Sequence, residues 1–145
     1  MRTVIQRVSQ AQVKVDEQVV GAVSKGLLVL AGVEPKDTPD SVRALALKIS
    51  KLRIFEDEDG KMNRSVKDIN GGILAVSQFT LAADLAKGNR PSFDTAEKPP
   101  RAQELMGVLV QALRQQGLSV QEGRFGAHMQ VFLVNDGPVT FTLKG

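Results

Sequence analysis

The chain has 145 residues, 42% of them hydrophobic and 24% charged, with a net charge of +3, no cysteine and a single histidine, His128. This is the length of one domain, residues 1–145, able to bury about two thirds of its unfolded surface without staples. The missing thiols exclude a cysteine nucleophile, a disulfide framework and a thiolate zinc site, and one histidine cannot build the common His-rich zinc centres. The 16 Asp and Glu residues leave a carboxylate site for a hard cation open, and the expectation is neither metal nor cofactor.

The N-terminal third reads as strands. Val13, Val15 and Val19 alternate with polar neighbours around Asp16-Glu17-Gln18, which predicts a hairpin. Gly26 to Val33 is a continuous apolar run, which suits a buried strand and is far short of the roughly 20 residues that span a bilayer. No apolar leader precedes it. The expectation is a cytoplasmic protein with no membrane partner.

A helix follows. Thr38 caps it, Pro39 suits its first turn and Asp40 its positive end, while Val42, Leu45, Ala46, Ile49 and Leu52 share one face. Arg53 to Phe55 and Lys61 to Asn63 are expected to pair around the acidic turn Glu56-Asp57-Glu58-Asp59. Ile73 to Val76 is a further apolar strand that ends on Ser77-Gln78-Phe79-Thr80. After a loop from Ala82 to Pro100 comes a second helix, with Leu105, Met106, Leu109, Ala112 and Leu113 as its apolar face and Gly117 as its C-terminal cap. Strands are predicted at Leu118 to Gln121, Met129 to Val134 and Val139 to Leu143. The fold class is mixed α/β: a layered β/β/α domain with two main helices on one or two mostly antiparallel or mixed sheets.

Four segments carry possible chemistry. Ser77, Gln78, Phe79 and Thr80 stand at a strand end before a long loop, where sites are often built. Their hydroxyls need an activating base to act as nucleophiles, and backbone N–H groups there suit an oxyanion hole. The bland alternative is a strand end whose hydroxyls satisfy local backbone. Asn135-Asp136-Gly137-Pro138 reads as a hairpin turn, although Pro138 cannot donate a ladder hydrogen bond. Phe125 and Met129 are either base-stacking groups or ordinary core residues, and strand alternation would leave His128 on the opposite face. Lys87 and Arg90 flank Gly88-Asn89, either as phosphate contacts or as a solvated loop. The stretch Ala82–Arg101 carries four basic and three acidic residues, so no one-sided basic patch is evident and no DNA partner is expected.

Taken together, these pieces resemble the D-aminoacyl-tRNA deacylase family over essentially the whole chain. The specific motifs are Ser77-Gln78-Phe79-Thr80-Leu81 and Asn135-Asp136-Gly137-Pro138-Val139-Thr140. Met1-Arg2-Thr3-Val4-Ile5-Gln6-Arg7-Val8, Arg90-Pro91-Ser92-Phe93 and Phe125-Gly126-Ala127-Met129, the last with His128 inserted, support them. The resemblance implies a homodimeric hydrolase that acts on aminoacylated tRNA and removes D-amino acids, or mischarged glycine, from the terminal ribose. It implies that Gly137-Pro138 is cis and is presented to the pocket of the other subunit, where it rejects L-residues by clash. Ser77, Gln78, Phe79 and Thr80 would form the catalytic turn, Phe125 and Met129 the adenine pocket, and Arg7 and Asn135 would support the Gly-Pro loop. Water assisted by the ribose hydroxyl is the preferred chemistry, because no base is evident beside Thr80. The alternatives are Thr80 as nucleophile, a non-catalytic RNA-binding module, an esterase acting on another acyl ester through Ser77 or Thr80, and a structural domain whose Gly-Pro turn shapes a dimer interface.

Overall fold

The apolar run that begins at Gly26 is a strand buried on both faces, and the molecule is organised around it. The computed structural model describes residues 1–145. In chain order the elements are β1 (Arg2–Val15), β2 (Gln18–Val23), β3 (Gly26–Gly32), α1 (Pro39–Ser50), β4 (Phe55–Glu56), β5 (Met62–Arg64), β6 (Gly72–Ser77), a 3₁₀ turn (Phe79–Ala82), α2 (Arg101–Gln115), β7 (Ser119–Glu122) and β8 (Gln130–Lys144). The main sheet runs β2-β1-β3-β6-β7, with β8 on the other edge of β1. β3, β6 and β7 are parallel; every pairing of β1 is antiparallel.

Period-2 alternation sorts the side chains of β3 and β6 into two cores. Leu27, Val29, Ala31, Ile73 and Ala75 face α1 and α2. Leu28, Leu74 and Val76 face the inside of the curled sheet, where Val8, Val13 and Val15 of β1 meet them. The sheet curls far enough for β2 to lie over β6 and β7. A Cβ on Gly21 would stand 2.3 Å from the Glu122 carbonyl oxygen and 3.2 Å from Leu74 Cδ1. The helices, the sheet and this fold-over make the three layers.

α1 starts where expected, and its cap is reciprocal. The Thr38 hydroxyl accepts the Ser41 N–H at 3.1 Å, and the Ser41 hydroxyl accepts the Thr38 N–H at 3.0 Å, an arrangement worth about 1 kcal/mol. α2 ends before Gly117, whose φ of +82° suits a glycine C-terminal to a helix. The short hairpin pairs Phe55 with Arg64 and Glu56 with Met62, so its second strand reaches one residue beyond the expected stretch.

One expectation is corrected. Asn135-Asp136-Gly137-Pro138 is not a hairpin turn between two strands. β8 is a single strand, and it pairs with β1 on both sides of this segment, from Lys14↔Gln130 to Arg2↔Lys144. Between Val8↔Asn135 and Gln6↔Thr140, the residues Asp136 to Val139 stand opposite Arg7 alone. The segment is a wide bulge, and the chain leaves it in the direction in which it entered.

Candidate active site

β6 delivers Ser77 beside Ala31 of β3. The pairing ends one residue later, where the Gln78 N–H donates to the Ala31 carbonyl at 2.8 Å. The chain then tightens into the 3₁₀ turn, closed by Leu81 N–H to the Gln78 carbonyl and Ala83 N–H to the Thr80 carbonyl, both 3.1 Å. The N–H groups of Phe79 and Thr80 come before the first of these bonds and have no partner within the turn. Two adjacent free donors at an exposed strand end suit an oxygen that develops negative charge.

Gly32, at the end of β3, makes room for this turn. A Cβ there would stand 2.7 Å from the Gln78 carbonyl oxygen. Sequence reasoning missed Gly32, because the residues that need the space lie far along the chain. The Thr80 hydroxyl is exposed and accepts the Gln78 amide at 2.5 Å. An amide donor cannot take a proton from it, so this contact does not activate Thr80 as a nucleophile. His128 is exposed and lies in a different segment.

An ionic chain behind the turn, buried at Met1, Glu34 and Asp37, was also missed. Arg2 Nε donates to Glu34 Oε1 at 2.9 Å, and its Nη1 to the Leu81 carbonyl at 3.4 Å. Asp37 accepts the Met1 ammonium and, at 2.7 Å, the Glu34 N–H. Burial works to raise the pKa of Glu34. The Arg2 hydrogen bond and charge, with Lys144 and the terminal ammonium, outweigh it and hold the carboxyl below the usual glutamate value.

The bulge has its own support. Arg7 is buried, and its Nε donates to the Asp136 carbonyl at 3.0 Å while its Nη1 donates to the Ile54 carbonyl at 2.8 Å. Asn135 Oδ1 accepts the Val139 N–H at 3.0 Å, and its amide donates to the Thr140 hydroxyl at 2.9 Å. These bonds pin both ends of an otherwise exposed Asp136-Gly137-Pro138 segment. The Gly137–Pro138 bond is cis, as the resemblance implies, and Pro99–Pro100 is cis as well.

Within one chain the two motifs do not meet. The bulge lies opposite Arg7 on the far edge of β1, and Ser77 lies beyond both β1 and β3. With strands spaced about 4.8 Å apart, that is roughly three spacings across the sheet.

Phe125 and Met129, the residues expected to hold adenine, are divided too. Gly123 to Met129 is a turn and not a strand, so the expected alternation does not apply. Phe125 packs on the helix-side core, and Met129 on the core inside the curled sheet. The Met129 sulfur accepts the Arg124 N–H at 3.3 Å and fills the space where a Gly123 side chain would be. The turn begins beside the site end of β6, since the Gly123 N–H donates to the Ala75 carbonyl at 3.0 Å. Lys87 and Arg90 are exposed in the loop beyond the 3₁₀ turn.

The model of the family described as D-Tyr-tRNA(Tyr) deacylase matches residues 4–144. The chain belongs to this family. Over 143 residues it is 59% identical to a D-aminoacyl-tRNA deacylase of Deinococcus deserti, with 99% of this chain and 98% of that one covered. A Thermotoga petrophila protein with the same description is 57% identical, with 99% and 96% covered. Among solved structures, one described as c-Myc DNA Unwinding Element Binding Protein superposes with a TM-score of 0.94 at 40% identity, covering 100% of this chain and 99% of that one. Another, described as a probable eukaryotic D-amino acid tRNA deacylase, has a TM-score of 0.84 at 17% identity over 98% and 97% of the chains, and shows the fold alone. No helix is long and apolar enough to cross a membrane.

Proposed function

We infer that the protein hydrolyses the ester between a D-amino acid, or a mischarged glycine, and the terminal ribose of tRNA, as a proofreading step in the cytoplasm. The observation that carries this is the exposed turn with free Phe79 and Thr80 N–H groups, in a chain 59% identical to a D-aminoacyl-tRNA deacylase over nearly its full length. The ester carbonyl oxygen sits at those two donors, and Ser77 and Gln78 line the turn. Water adds to the carbonyl carbon, oriented by the vicinal ribose hydroxyl. The bond from carbon to ribose oxygen breaks, and that oxygen takes the proton. The protein supplies position and electrostatic stabilisation, in keeping with a Thr80 hydroxyl bonded only to an amide.

Selection against L-residues falls to Gly137 and Pro138 of a second copy. Their distance from Ser77–Thr80 within one chain supports this, because a site that uses both motifs needs two chains. An exposed apolar face is available on β8, where Phe132, Val134 and Phe141 flank the bulge and are each more than 40% exposed. A backbone filter acts on every L side chain alike and passes glycine. Phe125 and Met129 hold the terminal adenosine from either side of the turn at 123–129.

Release of label from D-tyrosyl-, L-tyrosyl- and glycyl-tRNA, with chelator present, tests the reading. Cleavage of the D and glycyl esters alone is the expected result. Equal cleavage of the L ester would refute the filter, and survival of all three esters while tRNA binds would replace the enzyme with an RNA-binding module.

A further inference from the structure

Phe79 and Phe93 form an edge-to-face pair with ring centres 5.0 Å apart and planes at 63°. Both rings remain in solvent, at 53% and 40% exposure, although aromatic rings usually spend their area on a core or a partner. The loop that carries Phe93 is tied down. Asp84 and Ser92 exchange backbone hydrogen bonds of 2.8 and 3.0 Å, and the Thr95 hydroxyl holds the Ala82 carbonyl at the end of the 3₁₀ turn. Its acids are engaged internally: Asp84 accepts the Ala86 N–H at 2.9 Å, and Asp94 the Ser92 hydroxyl at 3.0 Å. Lys87 and Arg90, at the tip, take part in none of the ion pairs of the molecule.

An exposed ring next to the closed base of a loop, with two unpaired cations on that loop, is the chemistry that binds single-stranded nucleic acid: a π-face for a base and charge for its phosphate. A protein partner fits less well, because the centres of such interfaces are depleted in lysine. We propose that Phe93, Lys87 and Arg90 form a subsite for the unpaired nucleotide that precedes the terminal adenosine of the substrate, with its base against Phe93 and its phosphate toward the cations. This rests on the deacylase reading of the adjoining turn. Stacking and phosphate contact position a strand without reading its sequence, which suits an enzyme that meets many tRNAs by their shared 3′ end.

The test compares D-aminoacyl-tRNA with the minimal substrate D-aminoacyl-adenosine, which lacks the preceding nucleotide. Phe93→Ala is expected to raise KM on the tRNA by about tenfold or more, to leave kcat on the tRNA and both constants on the minimal substrate unchanged, and to be rescued by Phe93→Tyr. Equal losses on both substrates would mean that the ring only props Phe79, and no change on either would mean an idle surface ring. Each of these results overturns the subsite. If the unaltered protein cleaved neither substrate, the deacylase reading itself would fail and take the subsite with it.

Discussion

Replacing Arg7 with lysine keeps the charge and removes the fork that joins three segments. The exposed carboxylates of Asp136 and Glu56 lie 3.6 and 3.9 Å from the guanidinium, and such solvent-facing pairs contribute little. The two hydrogen bonds to the Asp136 and Ile54 carbonyls, at 3.0 and 2.8 Å, decide the effect. Bonds from a charged donor are worth about 1.5–3 kcal/mol each, and a single ammonium cannot span both carbonyls as the guanidinium does. Arg7→Lys should therefore cost about 2 kcal/mol, or about 4–8 °C in Tm for a chain of this size. Arg7→Ala should cost about 2–4 kcal/mol, because the buried Ile54 carbonyl is left without a donor and the packing of the buried side chain is lost. Urea and thermal unfolding measure the stability, and the ratio of D- to L-tyrosyl-tRNA cleavage measures whether the bulge keeps its place. A lysine variant within about 0.5 kcal/mol of the parent, with the same ratio, would refute the idea that Arg7 positions this segment.

Other outcomes follow from the same geometry. Gly21→Ala places a Cβ 2.3 Å from the Glu122 backbone oxygen, and urea unfolding should show a loss of about 1–3 kcal/mol as β2 is forced off β7. Because the folded-state pKa of Glu34 is depressed, its contribution is present above the ordinary glutamate value of about 4.3 and is lost as pH falls through the lower folded-state value. Glu34→Gln should flatten that acid limb of a stability-against-pH curve. Thr80→Ala should keep cleavage within about tenfold of the parent, whereas a collapse on the order of 10⁴-fold or more would make Thr80 a nucleophile. Lys87→Ala with Arg90→Ala should lower the salt slope of tRNA binding by about 0.7, for the one phosphate the two cations share, in a log–log titration; an unchanged slope would exclude the contact.

The parts legible in the sequence are those whose causes are local. The capped start of α1, with Thr38 and Pro39, and the apolar spacings of both helices lie within single segments, as do the apolar runs of β3 and β6. The strand-end motif Ser77-Gln78-Phe79-Thr80 could be placed from its own neighbourhood, whereas the hydrogen bonds of Arg7 and Asn135 to the Gly-Pro segment are set by the pairing of β1 with β8. The free N–H groups at Phe79 and Thr80 were decided by where the pairing of β6 with β3 stops, and Gly32 serves a turn whose residues are remote in sequence. Phe125 and Met129 were parted by a turn that sends them to different cores. The largest difference is at Asn135-Asp136-Gly137-Pro138, which contains every residue of a reversal and does not reverse. Turn residues set the backbone angles of their own few positions. The direction in which the chain leaves depends on which strand accepts its next hydrogen bonds, and here β1, from the opposite end of the chain, pairs with β8 on both sides of the bulge.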